Sequence, residues 1–225
     1  MGVNRLKSGI IDDQVIQEAA KQEIIRRIFA VENDYKKGLA DKETLRRIQV
    51  ILEESDLKKE DRAPVLPARD YAKTIQKKIG NTNPQAVIAI ELLNGEIITG
   101  RTTPLMDASA AAILNGLKSL ANIADEIDLL APMILKTIQG LKTDGLNGLN
   151  SRVPTLSANE LLIALAISAV TNPTAQLAYH QLSNLKAAQA HSTVILNREN
   201  EQTLKKLGID ITSDPVYLTE NLYYN

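Results

Sequence analysis

Apolar side chains recur at helical spacing in the first part of the chain and at strand or buried-helix spacing in the rest. Ile16, Ala20, Ile24, Ile28, Val31 and Tyr35 share one face of a helix, with Asp12 or Asp13 as N-cap and Gly38 as stop. Asp41 then caps a second helix whose stripe is Leu45, Ile48 and Leu52. The pattern predicts an α-helical hairpin subdomain over residues 1–63. Pro64 and Pro67 mark its end, because proline lacks a helix donor and restrains the residue before it. Residues 64–225 then read as an α/β sandwich subdomain.

That second part opens with a helix from Asp70 to Ile79 stopped by Gly80. Two apolar, β-branched runs follow, Ala86 to Leu93 and Glu96 to Gly100, joined at Asn94-Gly95, which predicts a hairpin on a two-residue type I′ turn. Ile88, Ile90 and Leu92 lie on one face of the first strand and Val87, Ala89 and Leu93 on the other, so this strand is expected at the centre of the sheet, covered on both sides. A helix from about Leu105 to Ala124 comes next, then a strand from Glu126 to Leu130 and a helix opened by Pro132. Ser157 and Glu160 form a capping-box pattern ahead of LLIALAISAV, which is apolar nearly all round and predicts a fully buried helix. Asn172-Pro173 starts a helix reaching Leu185. His191 to Leu196 reads as a strand, Arg198 to Leu207 as a helix stopped by Gly208, and Ile209 to Thr212 as the last strand. Alternation of this kind predicts a mixed sheet covered by helices.

Charge sharpens the division. Residues 1–62 hold 13 basic and 13 acidic side chains, about half of the 26 basic and 27 acidic residues of the chain. The formal net charge of -1 gives no global field to draw the protein onto nucleic acid or an anionic membrane. Arg26-Arg27 and Arg46-Arg47 are interleaved with acids and read as a solvated helical surface. There is no cysteine, which excludes disulfides, thiolate zinc sites and a cysteine nucleophile. The start, MGVNRLKSGIIDDQ, lacks the apolar core of a secretory signal, Leu6 stands where a myristoylation motif needs Ser or Thr, and the longest apolar run, Leu161 to Val170, is too short to span a bilayer. A cytoplasmic location is expected.

The order of elements resembles the cytidine-deaminase-like fold, in which a hairpin precedes alternating helices and strands and zinc sits at two helix starts. The chemistry is another matter. Deaminases open the first of those helices with His or Cys, Ala and Glu, and the second with Pro-Cys-x-x-Cys. Here the first reads Met106-Asp107-Ala108-Ser109 and the second Pro132-Met133-Ile134-Leu135-Lys136, so no zinc ligand set is present and no cofactor is identifiable. Asp107 is most simply an N-cap or first-turn carboxylate, with a ligand contact as the alternative.

Other candidate chemistry is sparse. His180 reads as structural or surface, whereas His191 opens a strand beside Ser192 and Thr193 without a visible acid partner for a triad. The segment from Gln139 to Pro154 carries Gly140, Gly145 and Gly148 with Lys142, Asp144, Asn150 and Arg152, and reads either as a ligand loop or as a plain connection; it lacks the Gly-Lys-Ser/Thr ending of a phosphate loop. Arg101, after the hairpin, is a candidate anion contact of the same standing.

Several separated segments, namely MGVN, EAAKQEIIRR, LNGEIITG, QGLKTD, SANELLIALAIS, NLKAAQAHSTVIL and LKKLGIDIT, resemble in order the C-terminal part of the bacterial domain of unknown function 1846 family, also called uncharacterised protein family 0371. Members of that family are about twice as long, so the resemblance implies a truncated product or fragment, with Met1 matching an internal methionine. It also implies a missing N-terminal half whose glycine-rich stretch ending in Gly-Lys suggests nucleotide or phosphate binding. The loop from Gly145 to Ser157 departs from the Leu-Gly-x-x-Asn-Pro-Arg-Leu-His form associated with the family, and the family histidine is not visible. The matched polar positions are Lys142, Asp144, Asn159, Glu160, His191, Ser192 and Thr193, none with a role implied. Two functions compete: a small-molecule or phosphate site completed by the missing half, and a non-catalytic interaction or homo-oligomerisation module built on the charged hairpin. A hydrolase using His191 and Ser192 ranks below both.

Overall fold

The computed structural model describes residues 13–80, 82–145 and 155–219. The loop positions Gly148, Asn150 and Arg152, the Asp144 side chain and the cap expected at Asp12 or Asp13 lie outside what is described. Two compact units are present, one up to Arg62 and one from Ala63 onward.

In the first unit α1 (Asp13–Lys36) packs against α2 (Lys42–Glu54). Gly38, at φ +74°, supplies the left-handed residue after α1, and the Asp41 side chain accepts from Thr44 N at 2.7 Å to open α2. The buried face of α1 overlaps the expected one at Ile28, with Ile24 and Val31 half-buried, but is rotated from it. It comprises Ile25, Ile28, Phe29 and Asn33, while Ile16 and Tyr35 are exposed. Two stripes about a residue apart compete on so charged a helix, and packing selects the one holding Phe29.

The second unit begins with α3 (Val65–Ile79), which ends at Gly80 in the left-handed conformation. It starts earlier than expected because Pro67 falls in the first turn, where a missing N–H costs nothing. Four strands form one mixed sheet: β1 (Val87–Glu91), β2 (Ile97–Arg101), β3 (Gln189–Ser192) and β4 (Asp210–Ser213), in the order β2-β1-β3-β4. β1 is antiparallel to both neighbours and β3 runs parallel to β4.

The hairpin lies where the sequence places it, but its turn differs. Leu92 N donates to Glu96 O and Gly95 N to Leu92 O, both at 2.9 Å, and only Gly95 has positive φ, +81°. This is a three-residue loop with one left-handed glycine rather than a type I′ turn, a form in which asparagine keeps negative φ. β1 is covered on both sides. Ile88, Ile90 and Leu92 enter the larger core with α4 (Ala108–Leu120), α6 (Ala158–Ser168) and α8 (Arg198–Lys206), whereas Val87 and Ala89 pack with Ala68, Ala72 and Ile75 of α3.

The strand expected over Glu126 to Leu130 does not form: the segment is irregular, and Leu129 and Leu130 plug the core from a loop. So short an apolar run satisfies a strand and a buried loop equally, and tertiary packing decides. Helices α5 (Pro132–Gly140) and α7 (Pro173–His180) complete the unit, α7 stopping before Leu185 in a separate short turn. The expectation that α6 is buried all round is overturned. Leu161, Ala164 and Leu165 are buried, but Ile163 is 53% and Ile167 60% exposed, and Val170, in the turn after the helix, is 82% exposed.

Candidate functional site

Strand direction brings several helix starts together. Register pairs Val87 with Arg101, Ile88 with Ser192 and Ser192 with Ser213, so β2, β3 and β4 all end at the edge where β1 begins. The chain leaving β2 enters α4 there and the chain leaving β3 enters α8, the edge at which α/β sheets commonly place ligands.

The Asp107 side chain caps α4 by accepting from Ala110 N at 2.8 Å, and its other oxygen accepts from Asn200 Nδ2 at 2.7 Å. Asn200, in the first turn of α8, in turn accepts from Ala158 N at 3.0 Å, the first residue of α6. Three helix N-termini thus converge through two side chains. A bridge between Met106 and Leu156 fixes the approach, with Asp107 N donating to Leu156 O at 2.9 Å and Leu156 N to Leu105 O at 3.0 Å.

Burial pushes the Asp107 carboxyl above its ordinary pKa, and the bonds from Ala110 and Asn200, with the charge of Lys142, pull partly the other way. Lys142 stands on a π-helical turn, Leu141–Gly145, that continues α5. Its ammonium donates to Thr155 O at 2.7 Å and to Glu160 Oε2 at 2.9 Å. Glu160 completes the capping box read from the sequence, accepting from Ser157 N at 2.8 Å. Ser157 Oγ also reaches Glu199 Oε1 at 3.3 Å. Two hydroxyls of this neighbourhood, Ser109 Oγ and Thr155 Oγ1, are buried without a hydrogen-bond partner among the described residues.

Asp107, Lys142 and Glu160 are therefore brought together. His191, Ser192 and Thr193 are not part of that group. Successive strand residues face opposite sides, so His191 points toward α3 and Ser192 toward the larger core. Ser192 Oγ donates to Val194 O at 2.7 Å, and Thr193 Oγ1 donates to Gln85 O at 2.6 Å while accepting from Val87 N at 3.0 Å; both are committed to the backbone. A His191–Ser192 hydrolase pair has no geometric basis here. Arg101 is exposed at the end of β2, and Asn159 is exposed on α6, where it borders a shallow groove of about 220 Å³ between α6 and α8.

His191 does have an acid partner, which the sequence did not reveal. Its Nε2 lies 3.5 Å from Asp214 Oδ2 and its Nδ1 3.0 Å from Thr212 Oγ1. Arg69 of α3 grips Asp214 bidentately, at 3.0 Å through Nε and 2.6 Å through its terminal nitrogen. Burial alone would raise the Asp214 pKa, but the facing imidazole and guanidinium outweigh it and hold the carboxyl at about 2. Neither Asp214 nor Asn200 carries a motif signal. The only hint is that Asp214 follows a strand end. Among the described residues no group of three or more His, Cys, Asp or Glu side chains is placed to hold a metal.

Fold and site define an α/β domain with a mixed four-stranded sheet and a polar centre at its helix starts, preceded by a charged helical unit. The family model described as "Domain of unknown function DUF1846, C-terminal" matches residues 60–223, and its N-terminal counterpart matches residues 1–56. The chain belongs to this family. It is 53% identical over all 225 residues to a UPF0371 protein of Clostridium botulinum (strain Langeland), 52% to one of Clostridium tetani and 51% to one of Clostridioides difficile. The alignment covers 100% of this chain but 44% of each of those proteins, so the chain spans less than half the length of the relatives it matches. No helix among the described residues is long and apolar enough to cross a membrane.

Proposed function

We propose that the α/β unit contributes the polar wall of a small-molecule site centred on Asp107, Lys142 and Glu160, completed in the full-length family protein by sequence outside this chain. The observation that carries this reading is the convergence of three helix starts on a carboxylate largely withdrawn from water, with the unpartnered hydroxyls of Ser109 and Thr155 beside it. Among the described residues the Lys142 ammonium acts on two carboxylates, Asp107 and Glu160, and a third, Glu199, lies within reach of Ser157 at the start of α6. A phosphate would meet net negative charge there, so the reading favours a neutral or cationic polar ligand over phosphate. The sheet order, with β1 antiparallel between β2 and β3, supports kinship with the deaminase-like frame, and a cytoplasmic setting belongs to the same proposal.

A thermal-shift screen of amines, polyols, nucleosides and phosphates on the full-length Clostridium botulinum relative and on this chain tests it. A neutral or cationic compound should raise the Tm of the relative, bind this chain more weakly, and lose at least tenfold affinity in Asp107→Asn. Preference for phosphates, or binding to this chain that Asp107→Asn leaves unchanged, would overturn it. A second reading, a non-catalytic interaction module, is favoured by the exposed apolar side chains of α6.

A further inference from the structure

The first unit carries apolar surface that it does not cover. Ile16, Ala20, Ile24, Ile28, Val31 and Tyr35 follow one another along α1 at intervals of four, four, four, three and four, a stripe about 28 Å long. It lies about a third of a turn from the face that holds Ile25, Phe29 and Asn33. Ile28 is the member of the stripe that is fully buried; Ile24 and Val31 are half-buried, and Ile16, Ala20 and Tyr35 are exposed. The unit is also short of a core. Among the described residues its fully buried apolar side chains are Ile25, Ile28, Phe29 and Ile48. A unit of about 60 residues is marginal even with a complete core, and one with so few buried side chains needs further surface to pack against.

We propose that the hairpin is part of the family's N-terminal domain, and that the α1 stripe docks on the rest of that domain in the full-length protein. Two boundaries coincide in support. The compact unit ends at Arg62, and the N-terminal family model matches residues 1–56 whereas the C-terminal model starts at residue 60. A domain is organised around one core, so apolar positions within residues matched to the N-terminal model are completed by that domain's own side chains. The material for this exists, because the aligned region is 44% of the Clostridium botulinum relative and more than half of that protein lies outside it. The partner surface is apolar and neutral. Arg27, at the margin of the stripe, donates to Glu23 at 2.8 Å, so no countercharge is required of the partner, and intervals of four and three suit another helix laid along α1.

Amide hydrogen exchange on this chain and on the full-length Clostridium botulinum relative tests it, with α4 as the internal standard in each. In this chain α1 should be at least about a hundredfold less protected than α4, and in the relative the two should agree within about tenfold. Ala20→Glu gives a second reading. In this chain it should shift Tm by less than about 1 °C, because Ala20 is exposed, and at the aligned position of the relative it should lower Tm by about 5 °C or more, because the charge would be buried. An α1 already as protected as α4 in this chain would overturn the proposal, and so would Ala20→Glu tolerated equally in both proteins. Protection of α1 in this chain that rises with protein concentration would overturn it as well, because the stripe would then meet a second copy.

Discussion

On one side of the sheet α4 lies so close to β2 that a Cβ built on Gly100 would fall 2.1 Å from the backbone nitrogen of Ala112. On the other side a single helix, α3, covers β1 through small side chains and then commits Arg69 to the Asp214–His191 pair. The first side gains its stability from close backbone approach, which the run Ala108-Ser109-Ala110-Ala111-Ala112 permits, and holds its polar groups at the helix ends. The second buries less apolar surface and places charge inside. Close packing tolerates no added atom, whereas an ion cluster tolerates changes of shape but not of charge.

Gly100→Ala should have the largest effect. The clash is with helix backbone rather than a yielding side chain, so it should cost about 3 kcal/mol or more, at the upper end of overpacking penalties, read as a lowered urea midpoint. Gly100 to Ala with near-normal stability would break the contrast, since α4 would then have room to move.

Asp214→Asn preserves shape on the other side but leaves Arg69 without its countercharge and His191 without its carboxylate partner, and should cost about 2 kcal/mol at neutral pH. Its pH dependence sharpens the contrast. A carboxyl held at about 2 when folded and 3.8 when free contributes stability that is present above the free value and lost as pH falls toward 2. The natural chain should therefore lose about 2 kcal/mol relative to Asp214→Asn between about pH 5 and pH 2, so that the two unfolding curves converge in acid. Parallel curves would show that Arg69 and His191 do not stabilise the ionised form.

Asp107→Ala tests the polar end of the first side and should be the smallest of the three. Loss of the α4 cap, with Asn200 left without its acceptor, should cost about 1–2 kcal/mol. The raised Asp107 pKa gives the opposite sign to Asp214: ionisation costs folding energy, so the penalty of the alanine substitution should shrink as pH rises through the carboxyl's folded pKa.

Local chemistry was legible where one residue acts on its near neighbours. Asp41, Asp107 and Ser157 with Glu160 are N-caps where the sequence places them, because a short polar side chain three residues before an amide needs no tertiary partner to find it. The hairpin was legible in position but not in turn type, since Asn-Gly suits both a two-residue loop and a three-residue loop with its glycine left-handed. The partners of the candidate site were not legible. Asn200 reaches Asp107 across 93 residues, and Arg69 reaches Asp214 across 145. Neither pairing leaves a local pattern. The exposed side of α6 was hidden for a different reason: an apolar helix reads as core whether its second face meets this chain, another copy or water.

The sequence by itself determined the helix caps at Asp41, Asp107 and Ser157, the glycine stops at Gly38, Gly80 and Gly208, the central position of β1, the lack of thiol chemistry and the family, because each depends on residue type and spacing along the chain. Only the tertiary structure decided that Asp107 is the meeting point of three helices, that His191 belongs to Asp214 rather than to Ser192, and that α6 keeps one apolar face uncovered. Those outcomes depend on which distant surfaces are brought into contact, and the free energy of that contact is shared among residues that no local window contains.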